Sequence, residues 1–394
     1  MHTVAAPVII LGVIALIAFY MIRFVAMKQK SLLLRVVLTA LSVVAVAGWI
    51  VTMAIGIKTS SSSGYYIASI AFTCTYVVIV PFIFITMVSL ISKLPRLWKS
   101  KPLNWLDKAG LAVGGLILIL MFAGCFTRKS LSVSNHEIID EALPAEFDGL
   151  RIAQISDMHL ESFGTDTVFI SRMVNRINEL KPDVIVFTGD IVSRRADEMK
   201  PFVGPLSRLR APLGVYAILG NHDYADYVEM TDEERLADRQ QLRQLYSRTA
   251  FTLLRDSTVY LTSIPDTIAL IGTENISTGR HRFNTYGSLR KAYPNIGDNT
   301  YKILLTHDPA LWVDSIAANA DAKINLTLSG HTHAMQCRIL GWTPASLSFK
   351  TPAGLYSTDD GRRLYVNVGI GTVGPLTRVG ANPEITLLTL KRKP

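Results

Sequence analysis

Four apolar stretches in the first 126 residues constrain this 394-residue chain more than any other feature. Each stretch is long enough to cross a bilayer as an α-helix, which takes about 20 residues. They are Val4–Ile22, Leu33–Ile57, Tyr66–Ile91 and Ala109–Phe126. From residue 127 onward the composition is typical of a soluble α/β protein. The sequence therefore predicts a four-helix transmembrane region at 1–126, a linker at 127–147 and a globular domain at 148–394.

Other interpretations of the apolar stretches are weaker. The first has no basic residue before it and no small-residue cleavage site, so it does not resemble a signal peptide. Transporters place ionisable residues inside their spans. Here the spans contain none apart from Arg35, which lies near an end. We therefore favour a plain anchor, and the small pair Gly110 and Gly114 predicts close helix packing within it.

The charges of the loops predict an orientation, because Lys and Arg accumulate on the cytoplasmic side. The second loop carries only Lys58, and Arg128 and Lys129 follow the fourth span. The first and third loops, together with Arg35 just inside the second span, carry nine basic residues: Arg23, Lys28, Lys30, Arg35, Lys93, Arg96, Lys99, Lys101 and Lys108. Loops one and three should thus be cytoplasmic, which places both termini and the domain on the outer side of the membrane. These flanks explain most of the net charge of +9; attraction to anionic lipids or phosphates is the alternative.

Strands and helices alternate in the globular domain, which indicates a layered α/β architecture. Helical spacing predicts a helix at Thr167–Leu180, and Glu229–Arg248 suits a polar surface helix or a cap over a site. Apolar runs predict strands at Leu150–Ile155, Asp183–Phe187, Val215–Leu219, Tyr301–Leu305, Ile324–Leu328, Leu364–Val368 and Ile385–Leu390. Polar clusters follow the first five of these strands, at the sheet edge where α/β proteins build sites.

The clusters after these strands contain five of the eight histidines of the chain. In order they are Asp157-x-His159, Gly189-Asp190, Gly220-Asn221-His222-Asp223, His307 and Gly330-His331-x-His333. Imidazole, carboxylate and carboxamide ligands without thiolates suit Mn, Fe, Zn or similar divalent ions. The three cysteines, Cys74, Cys125 and Cys337, form no CxxC pair, which argues against a zinc knuckle or a dithiol site.

Two ions can share a site when a carboxylate bridges them, and Asp190 suits that role. Such a pair polarises phosphoryl oxygens and holds a hydroxide in line for attack. The leaving oxygen then needs a proton, and His222 is the candidate general acid because it directly follows Asn221. Asp223 either orients His222 or caps the following turn. The seven candidate metal ligands are Asp157, His159, Asp190, Asn221, His307, His331 and His333.

These motifs resemble the calcineurin-like metallophosphoesterase family, in particular its membrane-anchored bacterial YkuE/YaeI-like branch. Thr306-His307-Asp308-Pro309 and the glycine-rich stretch from Leu364 to Gly374 also fit that branch. The resemblance covers residues 145–394 and implies a four-layer double β-sandwich with mixed sheets, flanked by helices. It further implies that Asp157, His159, Asp190 and His333 hold one metal, while Asp190, Asn221, His307 and His331 hold the second.

The sequence departs from the branch at Ala334-Met335-Gln336, where Gly-Gly-Gln is more usual. The departure leaves the ligands intact and concerns the backbone of the loop and access of substrate. Arginines are candidates for gripping a phosphate or a lipid head group. They are Arg194, Arg195, Arg280, Arg282 and Arg378, with the first two favoured because they follow Asp190 closely.

The sequence leads to three hypotheses. The first is a membrane-anchored phosphomonoesterase or phosphodiesterase that acts on envelope or lipid-linked substrates at the outer face of a bacterial inner membrane. The second is a UDP-diacylglucosamine-type pyrophosphatase of lipid A synthesis, which requires the domain in the cytoplasm. The third is a non-catalytic scaffold, which is disfavoured because no ligand is missing. A phosphorylated small molecule or lipid is the expected partner; neither nucleic acid nor an obligate protein partner is expected.

Overall fold

The structure is a computed structural model that describes residues 2–56, 59, 61–278, 284–319 and 321–393. The chain divides into two units. The helical unit comprises residues 1–127 and 374–379, and the α/β unit comprises residues 128–373 and 380–394. The predicted candidates Arg280 and Arg282 lie outside the described residues.

The helical unit contains four long helices, which are α1 (His2–Tyr20), α2 (Leu32–Gly56), α3 (Ser62–Ile91) and α4 (Asn104–Thr127). Each is long and apolar enough to cross a membrane, which confirms the four predicted spans. Gly110 and Gly114 of α4 lie so close to Val88 and Ile85 of α3 that no side chain fits between them. The predicted packing through this small pair is therefore confirmed.

A short segment distant in sequence also belongs to the helical unit. Within residues 374–379, the backbone N–H of Leu376 donates to Thr73 Oγ1 at 2.8 Å. The N–H of Arg378 donates to the Gly124 carbonyl at 3.0 Å, and Thr377 Oγ1 donates to the Met121 carbonyl at 2.9 Å. The sequence assigned this segment to the globular domain, because nothing local indicates that its polar groups complement those of α3 and α4.

The α/β unit contains twelve strands and four α-helices among its described residues. The strands are β1 (Ser132–Asp140), β2 (Arg151–Ile155), β3 (Val184–Phe187), β4 (Val215–Ala217), β5 (Thr252–Leu253), β6 (Ser257–Ser263), β7 (Asp266–Gly272), β8 (Tyr301–Leu305), β9 (Leu326–Ser329), β10 (Gly354–Ser357), β11 (Arg363–Val366) and β12 (Glu384–Arg392). The helices are α5 (Val168–Glu179), α6 (Val203–Leu206), α7 (Asp232–Tyr246) and α8 (Leu289–Ala292).

Two mixed sheets pack face to face. Their strand orders are β1-β12-β2-β3-β4-β5 and β10-β11-β9-β8-β7-β6. Strand β3 shows how alternation builds the layers. Its Val184 and Val186 join the core between the sheets, whereas Ile185 and Phe187 join the core beneath α5 and α7. A third core lies on the outer face of the second sheet. This order of helices, sheet, sheet and helices confirms the predicted four-layer fold.

Two segments refine the predicted organisation. Residues 132–140, predicted as part of a linker, form the edge strand β1, which pairs in parallel with β12. Their sequence lacks an apolar run, so the pairing with a strand some 250 residues away is what makes them a strand. The polar segment Glu229–Arg248 forms the predicted surface helix α7, which begins at a reciprocal cap between Thr231 and Glu234.

Candidate metal centre

The predicted ligand residues follow the carboxyl ends of five strands from both sheets. Strands β2, β3 and β4 of the first sheet deliver Asp157, Asp190 and Asn221, and β8 and β9 of the second deliver His307 and His331. Left-handed backbone turns bring the donors inward. Five donors have positive φ: Asp157 (50°), His159 (39°), Asp190 (62°), His331 (74°) and His333 (51°). Strained backbone of this kind is concentrated at functional sites.

One group of donors comprises Asp157, His159 and His333, whose ligand atoms all lie within 4.8 Å of one another. His333 Nε2 is 3.2 Å from Asp157 Oδ1, and His159 Nε2 is 3.9 Å from the same oxygen. The backbone N–H of His331 donates to the Asp157 carboxylate and orients it. The group can therefore offer one carboxylate and two imidazoles to a single cation.

The second group comprises Asp190, His307 and His331, again within 4.8 Å. His307 Nδ1 is 2.7 Å from the Thr188 carbonyl, and donation there leaves Nε2 directed at Asp190 Oδ2, 3.1 Å away. His331 presents Nδ1, which lies 2.9 Å from Asn221 Oδ1. A backbone carbonyl that fixes the far nitrogen of a ligating imidazole is typical of metal sites.

Asp190 lies between the two groups. Its Oδ2 is 3.1 Å from His307 Nε2 in one group and 3.5 Å from His159 Nε2 in the other. Its Oδ1 accepts the backbone N–H of His222 at 2.8 Å, which fixes the carboxylate. Asp190 therefore occupies the position that a bridging ligand requires.

The burial and charge of these residues fit bound cations. His159 Nε2 is buried without a hydrogen-bond partner, which is costly unless a cation takes its lone pair. Burial disfavours the protonated form of His307, but the carboxylates of Asp190 and Asp157 outweigh it and raise the pKa of His307 to about 10. The site thus favours positive charge at the place where the second ion is predicted.

His222 lies at the edge of this site, with its Nδ1 2.7 Å from the Ser193 carbonyl. The carboxylate of the adjacent Asp223 accepts the backbone N–H groups of Gly220, Asp190, Ile191 and Val192 at 2.9–3.2 Å. These contacts correspond to neither predicted role, because they hold the turn that carries Asp190 and the backbone of Gly220, rather than the ring of His222 or the turn after Asp223.

Sequence reasoning missed Tyr227. Its ring stacks on His222 with centroids 4.1 Å apart, and its hydroxyl accepts the Asn221 side-chain N–H at 2.6 Å. It thereby touches both a predicted ligand and the predicted acid. No strand end or spacing marks Tyr227, so nothing local in the sequence points to it.

The arginine candidates have other neighbours. Arg194 forms an ion pair with Glu161, and Arg195 lies 3.7 Å from Asp197. Both side chains are partly exposed. Arg378 is fully buried and belongs to the helical unit.

Gly330 offers a test of the packing around the first group. A Cβ there would collide with Ser156 Oγ and Asp157 Oδ2. We expect Gly330→Ala to destabilise the chain by about 1–3 kcal/mol through overpacking, and to weaken metal binding because Asp157 must move. Melting in detergent and metal analysis measure both effects. Gly204→Ala is the control, since nothing lies within 4 Å of the added methyl group; a variant at Gly330 indistinguishable from it would refute the prediction.

Residues 334 and 335 adopt a left-handed backbone conformation that favours glycine, the residue that the resemblance leads one to expect at both positions. Ala334 and Met335 have φ of 50° and 46°, in the left-handed region. A side chain there costs roughly 1 kcal/mol or more. Because Met335 is exposed, we expect Met335→Gly to raise the melting temperature. Ser247→Gly, at an exposed position with φ of −64°, should lower it. A lower melting temperature for Met335→Gly would contradict the backbone assignment.

Comparisons with known proteins agree with this geometry. The family model described as calcineurin-like phosphoesterase matches residues 150–335. An uncharacterized metallophosphoesterase of Bacillus subtilis, YkuE, is 31% identical over 66% of this chain and 86% of its own length. The UDP-2,3-diacylglucosamine pyrophosphatase LpxG of Chlamydia trachomatis is 29% identical over 64% of this chain and 86% of its own.

A further relative extends the similarity beyond the α/β unit. A transmembrane protein with a metallophosphoesterase domain from Bos taurus is 28% identical over 344 residues, which cover 84% of this chain and 75% of that protein. The span 148–394 has too few residues to supply such an alignment, so the match includes part of the apolar helices.

Proposed function

We propose that this chain, which belongs to the calcineurin-like phosphoesterase family and is a phosphoester hydrolase integral to a membrane, acts on phosphomonoesters or phosphodiesters of the cell envelope. Lipid-linked phosphoesters are the foremost of these substrates. The observation that carries this proposal is the convergence of seven donor residues, with Asp190 between the two groups, in a chain with four apolar helices. The anchor keeps the site near phosphate groups borne by lipids.

The proposed ligand sets follow the two groups of donors. Asp157, His159 and His333 would hold one divalent ion (Mn, Fe or Zn), and Asn221, His307 and His331 would hold the other. Asp190 would contribute to both. When bound, such ions polarise the phosphoryl oxygens and lower the pKa of a water that can attack phosphorus.

His222 supplies the proton for the leaving oxygen in this proposal. Nδ1 donates to the Ser193 carbonyl, which directs Nε2 away from the backbone. Nε2 carries a proton to donate when the ring is the imidazolium, with both nitrogens protonated. The stacked ring of Tyr227 limits rotation of the imidazole. Asp223 is a positioning residue, because its carboxylate holds the N–H groups of the turn that carries Asp190. Arg194 and Arg195 are the proposed contacts for the substrate phosphate. Each would bind it while keeping its ion pair, with Glu161 and Asp197 respectively.

The second candidate function is hydrolysis of a nucleotide-linked lipid at its pyrophosphate. Two relatives from Chlamydia species, each 29% identical, are named UDP-2,3-diacylglucosamine pyrophosphatases. That reaction needs a cytoplasmic α/β unit, whereas the loop charges favour the outer side of a bacterial inner membrane. A protease-sensitive tag after residue 394 distinguishes them: cleavage in intact spheroplasts supports the envelope substrate, and protection supports the nucleotide-linked lipid.

The substrate class is tested in cells. Lipids and soluble phospho-compounds are compared between cells that lack the chain and cells that make only Asp190→Ala. One species should accumulate in both, and the purified full chain with Mn should hydrolyse it. A chain that hydrolyses no phosphoester, either in defined assays or in lipid extracts, would support the scaffold hypothesis instead. The complete set of predicted ligands and the retained His222 argue against a scaffold.

A further inference from the structure

Within the α/β unit, exposed apolar side chains are concentrated in one loop beside the metal centre. We call residues 335–349 the apolar loop. Leu340 is fully exposed, and Leu347 is 81% exposed. The exposed large apolar residues of this loop are Met335, Ile339, Leu340, Trp342 and Leu347. Single exposed apolar side chains are normal on a soluble surface, but a cluster of this kind marks an interaction site.

The tip of the apolar loop is an ordered turn. Ile339 and Trp342 exchange backbone hydrogen bonds of 2.8 and 3.0 Å, with Leu340 and Gly341 between them. Both central residues have positive φ, at 49° and 86°. Such turns prefer Asn-Gly or Asp-Gly, so a leucine here holds an apolar side chain in solvent at a backbone cost. The base is fixed by a bond from Thr343 Oγ1 to the Ala334 carbonyl.

The charge of the surrounding sequence complements an anionic lipid surface. Between Asp321 and Asp359 the chain contains no carboxylate side chain. The loop and its border carry the exposed cations Arg338 and Lys350. Aliphatic side chains, a tryptophan and cations without carboxylates are the composition of segments that bind at the lipid–water interface.

We propose that the apolar loop inserts into the lipid–water interface of the membrane, with Leu340 among the acyl chains. The occupant is lipid rather than a protein because four helices of the same chain keep a bilayer present at all times. The loop also begins two residues after His333, and Phe349 at its end packs edge-on against His331, with ring centroids 5.8 Å apart. Lipid at the loop would therefore lie beside the metal centre, whatever the substrate is.

The test measures the surroundings of residue 340 in the full chain. Cys74, Cys125 and Cys337 are replaced by Ser, and Leu340→Cys carries a polarity-sensitive fluorophore. The protein is placed in nanodiscs of phosphatidylethanolamine and phosphatidylglycerol, with or without brominated acyl chains. The control is Ile264→Cys, because Ile264 is also a highly exposed apolar residue, at 87%, but lies outside the apolar loop, just beyond β6. Neither position belongs to the metal centre, so the result does not depend on activity.

We expect blue-shifted emission and strong quenching by brominated lipid at residue 340, with neither at residue 264. A label at Trp342→Cys should show weaker quenching of the same kind, and it keeps the test valid if Leu340→Cys disturbs the turn. Labels at 340 and 342 quenched no more than the control would overturn the proposal. A blue shift seen only in native membranes, and never in the pure lipid nanodiscs, would overturn it in favour of a protein partner.

Discussion

Replacing Asp190 by Asn is expected to remove both metal ions and to lower kcat/KM by about 10³-fold or more, which is roughly 4 kcal/mol of transition-state stabilisation. Asp190 Oδ2 lies near imidazoles of both groups, 3.1 Å from His307 Nε2 and 3.5 Å from His159 Nε2. A carboxamide keeps the size of the side chain but loses the negative charge that two adjacent cations need. Metal analysis of the purified full chain and phosphodiesterase assays measure the two losses.

Asp232→Asn is the matched control for this prediction. Asp232 is an exposed carboxylate in the first turn of α7, and the same change there should leave metal content and activity unaltered. If Asp190→Asn retained two ions per chain and full activity, the proposal that Asp190 bridges the two ions would be wrong. If it lost one ion and kept the other, Asp190 would belong to a single group of donors.

The sequence could predict that these donors converge because each of them follows a strand. His307 and His331 come directly after the apolar runs that form β8 and β9, and Asp157 follows β2. Runs of this kind are recognised from local sequence, and the strands of one sheet end at one edge. Chemistry then limits what a set of carboxylates and imidazoles can bind. The resemblance to the family supplied the partition into two ions.

Features that depend on distant pairing could not be predicted in this way. Strand β1 exists because its backbone pairs with β12, at the other end of the α/β unit. Segment 374–379 belongs with α3 and α4 through hydrogen bonds to Thr73 and Gly124. Neither segment has an apolar periodicity of its own. Their placement depends on partners far away in the chain, which local patterns do not encode.

Side-chain contacts around the site also escaped prediction. The sequence left open whether Asp223 orients His222 or caps a turn, because adjacent residues in a loop can point in different directions. In the structure, Asp223 binds four backbone N–H groups, and the ring of His222 is held by the Ser193 carbonyl and Tyr227. The side chains point in these directions because successive donors have left-handed φ. Such backbone is seldom evident from the sequence at residues other than glycine.

The role of His222 as proton donor leads to a prediction about the leaving group. Loss of a general acid costs most when the leaving oxygen is a poor leaving group, since an alkoxide needs a proton more than a nitrophenolate does. We expect His222→Ala to lower kcat/KM by about 10²–10⁴-fold for an alkyl phosphodiester. For a p-nitrophenyl ester the loss should be much smaller. Metal content should be unchanged, because His222 lies outside both groups of donors.

His136→Ala is the matched control for this experiment, because His136 lies in β1 beside Tyr365 and should affect neither substrate. The comparison of leaving groups separates proton donation from positioning. A residue that only positions substrate or ligands would slow both esters by the same factor. Equal losses for His222→Ala would therefore assign its ring to binding and leave the proton donor to another group. A loss that grows with the pKa of the leaving alcohol is the signature that only a proton donor produces.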